Sequence, residues 1–512
     1  MAATDTQSAA GPRPATEAPL DNSIDKALLM VSGVVVLGTI MSILDTTVVN
    51  VAINTLATRF HTTLTTIQWV ATGYTLALAT VIPLSGWIAD RFGTKRLYIT
   101  SIVLFVLGSS LSGLAWSSGT IILFRVLQGL GGGMIMPAGM TILTRAAGPH
   151  RIGRVMAIIG VPMLLAPIVG PILGGWLVTD ASWRWIFFIN LPVGVIAVVS
   201  ALRVLPRDVA AHEQKLDLVD LFLLSPGLAI FIYGLAESNS NGGFGAAKVL
   251  IPMAVGIGLM SAFVWHALRA RDPLIDLRLF RNRVFSTSSL TLVLFVIAVF
   301  GTFLLLPLYF QAVRGESALD SGLLLAPQGL GSMIAMPIAG MLSDKTGSGR
   351  IVPFGLATVI AAVLWLTQIG AHTGYLATSI DLFVYGLGMG FAMMPVFSGA
   401  LQSITGAAVA RANTALNIFQ QAGASIGTAV LSVLLAHELS AKLGHGHGTI
   451  GSAARLTQAQ RAHIAVPMSA AWGDTFKWAL GLLAIAFIAS LLLPKSKPEL
   501  PEGETAQGAI PL

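Results

Sequence analysis

The chain contains no cysteine. Disulfide frameworks, thiol nucleophiles and zinc–thiolate centres are therefore excluded. Charge is scarce as well: 10% of the 512 residues are Asp, Glu, Lys or Arg, where a water-soluble domain carries about 25%. So few charges cannot cover a water-facing surface. With 54% hydrophobic residues and a mean hydropathy of +0.79, most of this chain must be solvated by lipid. No G-x-x-x-x-G-K-[ST] segment occurs, which excludes ATP hydrolysis through a loop of that kind. No cluster of polar catalytic groups gathers at one membrane face, so an enzyme is not expected. The first residues are polar and rich in Ala, Pro and Thr, without the apolar centre of a signal peptide. Residues 1–27 and 494–512 are expected to be disordered tails.

Long apolar runs are what the chain has instead. A membrane-spanning helix needs roughly 20 mostly apolar residues, and about fourteen runs meet that rule. They lie near 28–51, 66–88, 97–116, 119–143, 154–177, 184–204, 218–236, 249–268, 287–311, 320–342, 351–370, 376–400, 412–436 and 473–493. The least regular is 218–236, with Pro226 and Gly227 near its middle. The expected fold class is an all-α polytopic membrane protein. An even number of spans puts both termini on one side. Basic phrases such as "DRFGTKR", "RAAGPHRIGR" and "RARDPLIDLRLFRNR" fall in alternate loops, and these loops with the two tails hold most of the Lys and Arg. That bias predicts that this set, and both termini, are cytoplasmic. The net charge of +7 thus reads as membrane orientation, and no nucleic-acid partner is expected. On the opposite face a long loop is expected over 437–472. Its "HGHG" at 445–448 reads as a solvated turn, and no metal site is expected.

One phrase is written twice. "SGWIADRFGTKR" at 85–96 and "AGMLSDKTGSGR" at 339–350 share Gly86/Gly340, Asp90/Asp344, Arg91/Lys345, Gly93/Gly347 and Arg96/Arg350, with Pro83/Pro337 just upstream. Both are short cytoplasmic loops, and without the seventh and eighth spans they fall at the same place in two six-helix halves. The expected organisation is an N-terminal lobe over 28–204, two extra central helices with linkers over 205–286, and a C-terminal lobe over 287–493. Parallel six-helix halves place a substrate site between them near the bilayer midplane.

These residues resemble the major facilitator superfamily, and almost the whole chain is similar to its fourteen-helix drug:proton antiporter family. The first copy of the repeated phrase resembles motif A. "LDTTVVNVAIN" at 44–54 resembles the family's first-helix signature, "LFRVLQGLGGGMIMP" at 123–137 motif B, and "APIVGPILGGWL" at 166–177 the antiporter motif C. "WRWIFFINLPVG" at 183–194 and "RANTALNIFQQAGASIGTA" at 411–429 carry further likeness. The sequence departs from the pattern at Asn54, where Pro is common, at Ala157 and Ala166 in place of motif C glycines, and at Gly349, where the second copy of motif A loses a base. The resemblance implies a multi-pass protein of a bacterial cytoplasmic membrane, driven by the proton gradient and without a cofactor. Its expected partners are protons, membrane lipid and a small lipophilic, often cationic substrate. A dedicated exporter of an endogenous metabolite and an envelope-lipid transporter are the alternatives. Some relatives work with a periplasmic adaptor; no feature of this sequence supports one.

The residues expected to carry function follow from their cost. Asp45 lies among apolar turns of the first span, and an ionisable group inside a span is a functional hypothesis by default. Arg125 lies about 9 Å into the fourth span and Asp45 about 10 Å from the end of the first, at 1.5 Å per residue. The two charges therefore share a depth. Sequence leaves open whether they touch. Gln128 is placed to orient Arg125, and Gly129, Gly132 and Met136 recur on the same face. The resemblance implies that Asp45 takes part in coupling and cation recognition and Arg125 in proton transfer. Gly86, Asp90, Arg91, Gly93, Arg96 and Asp344 are expected to gate the inner face, where the basic residues can also pair with lipid phosphates. Gly170, Pro171, Gly174 and Gly175 are expected to be structural and gating: proline bends the helix and small residues let neighbours approach. Candidate cavity-lining residues are Asn50, Gln68, Trp69, Met136, Tyr309, Gln328, Met336 and Phe397. They are joined by a polar stripe on the thirteenth span, Asn413, Asn417, Gln420 and Gln421.

Overall fold

The computed structural model describes residues 25–495 except 149–150, 153–154, 156–157, 159, 161–165, 167–168, 171, 209–215, 241–242, 271–272, 403, 405–407 and 444–457. The expected tails over 1–24 and 496–512, the "HGHG" turn and Pro171 lie outside the described residues, as does the side chain of Asn50. Among the described residues there is helix and turn but no strand.

The helices of the first lobe are α1 (Lys26–Arg59), α2 (Leu64–Val81), α3 (Leu84–Phe92), α4 (Thr94–Gly113), α5 (Ser118–Ala147), α6 (Ile172–Ala181), α7 (Trp185–Phe188) and α8 (Asn190–Val204). A central pair follows, α9 (Leu218–Ser240) and α10 (Ala247–Ala267). The second lobe holds α11 (Arg283–Tyr309), α12 (Ala318–Thr346), α13 (Ser348–Leu366), α14 (Tyr375–Gln402), α15 (Ala408–Leu443) and α16 (Gln458–Ser490). Among the described residues twelve helices are long and apolar enough to cross a membrane, thirteen if the bent pair α2/α3 is one span. Half of the remaining expected span, 154–177, lies outside the described residues.

Local chemistry places the helix ends. Asp25, Thr63, Ser117 and Ser317 each accept a hydrogen bond from a backbone N–H of the first turn that follows. Ser117 and Thr120 form a reciprocal capping box. The sequence repeat becomes a structural repeat. Gly93 alone separates α3 from α4, and Gly347 alone separates α12 from α13, at φ +95° and +87°. Only glycine adopts that backbone without strain.

Two expectations are corrected. The run 66–88 is not one helix: it bends by 54° between α2 and α3, where Pro83 lacks an N–H and its ring crowds the preceding turn. Its counterpart Pro337 lies inside the continuous α12. The outer loop over 437–472 is also shorter than expected. α15 runs on to Leu443 and α16 starts at Gln458, so helix occupies both flanks. The polar residues there mask a packed stretch: Met468, Ala471 and Trp472 are fully buried, and the Trp472 indole donates to the Leu305 carbonyl at 3.1 Å. The irregular 218–236 run, by contrast, is a single helix through Pro226.

Within the first lobe α5 packs on α1, α2 and α4; within the second, α14 packs on α11, α12 and α13. The central α9 pairs with α10 and touches both α2 and α15, so it spans the two lobes. Large apolar side chains remain exposed around the outside, among them Leu29, Trp116, Phe222, Trp265, Leu376 and Ile488. In water such a surface would aggregate; in lipid it is solvated.

Candidate functional site

The two charges that share a depth do meet. Asp45 on α1 and Arg125 on α5 are 2% and 1% exposed. The Arg125 Nη1 donates to Asp45 Oδ2 at 2.5 Å and to Gln128 Oε1 at 2.7 Å. The Gln128 amide closes the triangle, donating to Asp45 Oδ1 at 2.8 Å. Arg125 Nε donates to the Val70 carbonyl at 3.1 Å, and the guanidinium lies 4.1 Å from the centre of the Tyr74 ring. Both carboxylate oxygens are thus occupied, and the cation has an ion pair, two neutral acceptors and an aromatic face. A buried pair needs this degree of satisfaction, because the desolvation of two charges otherwise exceeds their attraction.

The close approach of α2, α4 and α5 is set by glycine. A Cβ on Gly129 would lie 2.5 Å from the Tyr74 carbonyl oxygen, and one on Gly131 2.5 Å from the Phe105 nitrogen. A larger residue at Gly129 would press on the backbone of α2, the helix that offers Arg125 the Val70 carbonyl.

Sequence reasoning missed three members of this site. Asn190, the first residue of α8, donates to Asp45 Oδ1 at 3.2 Å and to Ser109 Oγ at 3.0 Å. Ser109 on α4 in turn donates to the Phe187 carbonyl at 2.9 Å. Tyr74 completes the shell, its hydroxyl 3.3 Å from Ser42 Oγ. The available signal was a lone amide in the apolar run "WIFFINLPVG". In the second lobe Asp381 of α14 is also buried, and its Oδ2 has no hydrogen-bond partner among the described residues. Its signal was likewise present, a single acid in "YLATSIDLFVYGLG".

The motif A residues sit where the lobes touch. Asp90 on α3 lies 3.4 Å from Arg145 of its own lobe and 3.6 Å from Arg411 of α15. Gly86 leaves room for Thr414, whose hydroxyl is 3.0 Å from Ser85 Oγ. Arg91 and Arg96 are exposed. Asp208, which sequence reasoning missed, accepts from the backbone of Lys95 at 2.9 Å and of Arg96 at 3.1 Å, capping α4 from the segment after α8. The Lys95 ammonium reciprocates on the Leu202 and Leu205 carbonyls, capping the end of α8. A Cβ at Gly93 would collide with Asp208. In the second copy Asp344 is buried and accepts from Gln402 at 3.4 Å, an amide where the first lobe has Arg145.

The motif C glycines pack on α1 beside Asp45. Gly170 faces the Thr47 hydroxyl, and a Cβ on Gly174 would lie 3.1 Å from Val48, whereas Gly175 faces open space. The candidate lining residues are scattered. Met336 and Met394 sit against Gly160 of the opposite lobe. Gln328 donates to Met389 Sδ at 3.5 Å and Phe397 is buried, both within the second lobe. Met136 is partly buried. Tyr309 is committed to that lobe's own packing, its hydroxyl donating to the Gly370 carbonyl at 2.7 Å. Gln68 is exposed, and Trp69 stacks on Tyr233 of α9. On α15, Asn413, Asn417 and Gln420 are buried and Gln421 partly so. Asn413 and Asn417 donate back to the Val409 and Asn413 carbonyls of their own helix.

A sequence profile described as Major Facilitator Superfamily matches residues 35–428. The chain is 42% identical over 493 residues to the "Multidrug resistance protein B homolog" of Mycobacterium tuberculosis (strain ATCC 25618 / H37Rv), covering 93% of this chain and 91% of that one. It is 31% identical over 402 residues to the "Multidrug export protein EmrB" of Escherichia coli (strain K12), covering 78% of each. Among solved structures, the human organic anion transporter MFSD10 (TETRAN) is similar with a TM-score of 0.60 at 14% identity, covering 89% of this chain and 99% of that one. The proton:xylose symporter XylE is similar with a TM-score of 0.57 at 13% identity, covering 92% and 96%. At such identities the two structures speak to the fold alone.

Proposed function

The chain belongs to the major facilitator superfamily, and from that premise we propose that it is a proton-coupled antiporter exporting lipophilic, often cationic compounds. It is a multi-pass membrane transporter and not an enzyme. Two relatives named for multidrug resistance and export, one matched over nine-tenths of the chain, support the substrate class. A bacterial cytoplasmic membrane with both termini inside agrees with the bacterial relatives and with the distribution of basic loops.

The observation that carries the coupling is the buried Asp45–Arg125 pair with Gln128 and Asn190. Asp45 is where a proton and a cationic substrate compete. When Asp45 is a carboxylate it holds Arg125; when it gains a proton the ion pair is lost, and Arg125 keeps Gln128 and the Val70 carbonyl. The two protonation states therefore prefer different packings of α1 against α5, and a ligand with different affinity for two arrangements shifts their balance. The lobes touch through Asp90–Arg411 and Ser85–Thr414. With basic loops inside, that contact holds the lobes together on the cytoplasmic side. The cycle runs by protonation of Asp45 from outside, opening of the motif A contact, exchange of the proton for substrate and return.

The test is ethidium efflux from cells making the wild type or Asp45→Asn, with and without a protonophore. Loss of efflux with either change supports the reading. Full proton-driven efflux by Asp45→Asn would end it. A well-expressed wild type that exports no lipophilic cation would favour a dedicated metabolite or lipid substrate.

A further inference from the structure

At the end of the central helix pair away from the α9–α10 turn, three potential ligands converge outside the site described above. Asp217 immediately precedes α9, Asp220 lies in its first turn, and His266 lies in the last turn of α10. One ligand atom from each can be chosen so that all lie within 4.8 Å of one another. Asp220 is fully buried. Its Oδ2 accepts from the Leu274 backbone at 2.8 Å, and its Oδ1 has no hydrogen-bond partner among the described residues. That oxygen points at His266 Nδ1, 3.7 Å away, which likewise has no hydrogen-bond partner among the described residues. Asp217 is oriented through Oδ1, which accepts from Val219 and Asp220, and its Oδ2 stands 3.7 Å from His266 Nε2.

We propose that Asp217, Asp220 and His266 bind a divalent transition-metal ion of the zinc type. A buried carboxylate oxygen with no donor is costly, and a cation is what satisfies it. The 3.7 Å separations exceed a hydrogen bond. One ion takes one imidazole nitrogen. With Nδ1 as ligand, Asp220 Oδ1 at 3.7 Å is close to the roughly 3.3–3.4 Å between two ligands of one tetrahedral zinc bound at about 2.0–2.1 Å. Asp217, which stands beside Nε2, swings toward that ion on binding. One imidazole nitrogen and two carboxylates form a three-ligand set that leaves a fourth position for water. The Asp217 and His266 side chains are 22% and 25% exposed, which gives an ion a route in. The two hydrogen-bonded carboxylate oxygens act as the supports that hold ligands in place. Sequence reading expects no metal here because the aspartates and the histidine are far apart in the chain and meet only when α9 and α10 pair.

The ion would clamp more than two helices. Asp220 also holds Leu274, in the connector that leads through a short turn at Leu277–Arg281 into α11, the first helix of the second lobe. Metal binding therefore stiffens the junction between the central pair and that lobe.

The experiment is a Zn2+ titration of the full chain in lipid nanodiscs against a chromophoric chelator, with the thermal midpoint followed in parallel. About one Zn2+ per chain is expected, with a midpoint that rises on binding. His266→Gln and Asp220→Asn should each weaken binding at least tenfold and remove the rise, and Asp217→Asn should weaken it too. The double variant His445→Gln/His447→Gln should bind as the wild type does. Midpoints measured without metal show which variants fold; Asp217→Asn, at a part-exposed residue, keeps the test open if a buried change does not fold. The proposal is overturned if the wild type binds no Zn2+, as for a simple histidinium bridge between two acids. It is equally overturned if binding survives the loss of His266 and disappears with the histidines at 445 and 447.

Discussion

At Asp45, the partners come from two other helices: Arg125 and Gln128 from α5, and Asn190 from α8. Removing one group of a buried pair leaves the other charge without compensation, at a cost of about 3–5 kcal/mol. Arg125→Ala is accordingly expected to lower the amount of folded protein as well as to abolish efflux. Arg125→Lys separates the two effects. It keeps the charge but loses the planar fork that reaches Asp45, Gln128 and Val70 together. We expect near-normal expression with efflux reduced more than tenfold; unchanged efflux would show that charge alone suffices. Asn190→Ala removes one donor from Asp45 and a partner from Ser109, a loss of about 1–3 kcal/mol. Its efflux is expected to fall several-fold, and a wild-type rate would make Asn190 a packing residue only.

Helix contacts are decided by atoms that are missing. On α5, Gly129 meets the backbone of α2 where a Cβ has no room, while Gly175, within motif C, faces nothing within 4 Å. Gly129→Val is expected to abolish a monodisperse peak in detergent gel filtration, since overpacking costs about 1–3 kcal/mol and here pushes on backbone. Gly175→Ala should elute and transport as the wild type does. Equal behaviour of the two would contradict the close α2–α5 contact. A helix end can be probed in the same way. Asp208→Ala removes two cap hydrogen bonds from α4, and a lost cap costs about 1 kcal/mol. The thermal midpoint should fall by a few degrees, with Asp208→Asn in between.

Across the whole molecule, the joint between lobes is small and polar at the motif A end. Asp90, Arg145 and Arg411 hold it together with Ser85 and Thr414. The absence of native cysteine makes introduced labels unique. Spin labels at Arg96→Cys and Arg350→Cys, exposed positions in the two copies of the repeated phrase, report the gap between lobes. Adding Asp90→Asn or Arg411→Ala should shift the distance distribution to longer values, as that face opens. A distribution that does not move would remove Asp90–Arg411 from the gate.

The lipid solvent, the helical class and the two-lobed repeat were legible in the sequence, because they follow from composition and period. A run of about 20 apolar residues has few other outcomes, and a glycine between two helices marks its own left-handed turn. Asp45 and Arg125 were legible for the same reason: a charge in an apolar run is conspicuous wherever it ends up. What surrounds them was not. Asn190, Ser109 and Tyr74 are ordinary residues until α2, α4 and α8 close around α5, and Asp208 becomes a cap only when α8 ends beside the start of α4. The same holds for Asp217, Asp220 and His266. Linear spacing orders residues along one helix, whereas a site is made of residues on several helices, and only packing sets the distances between those.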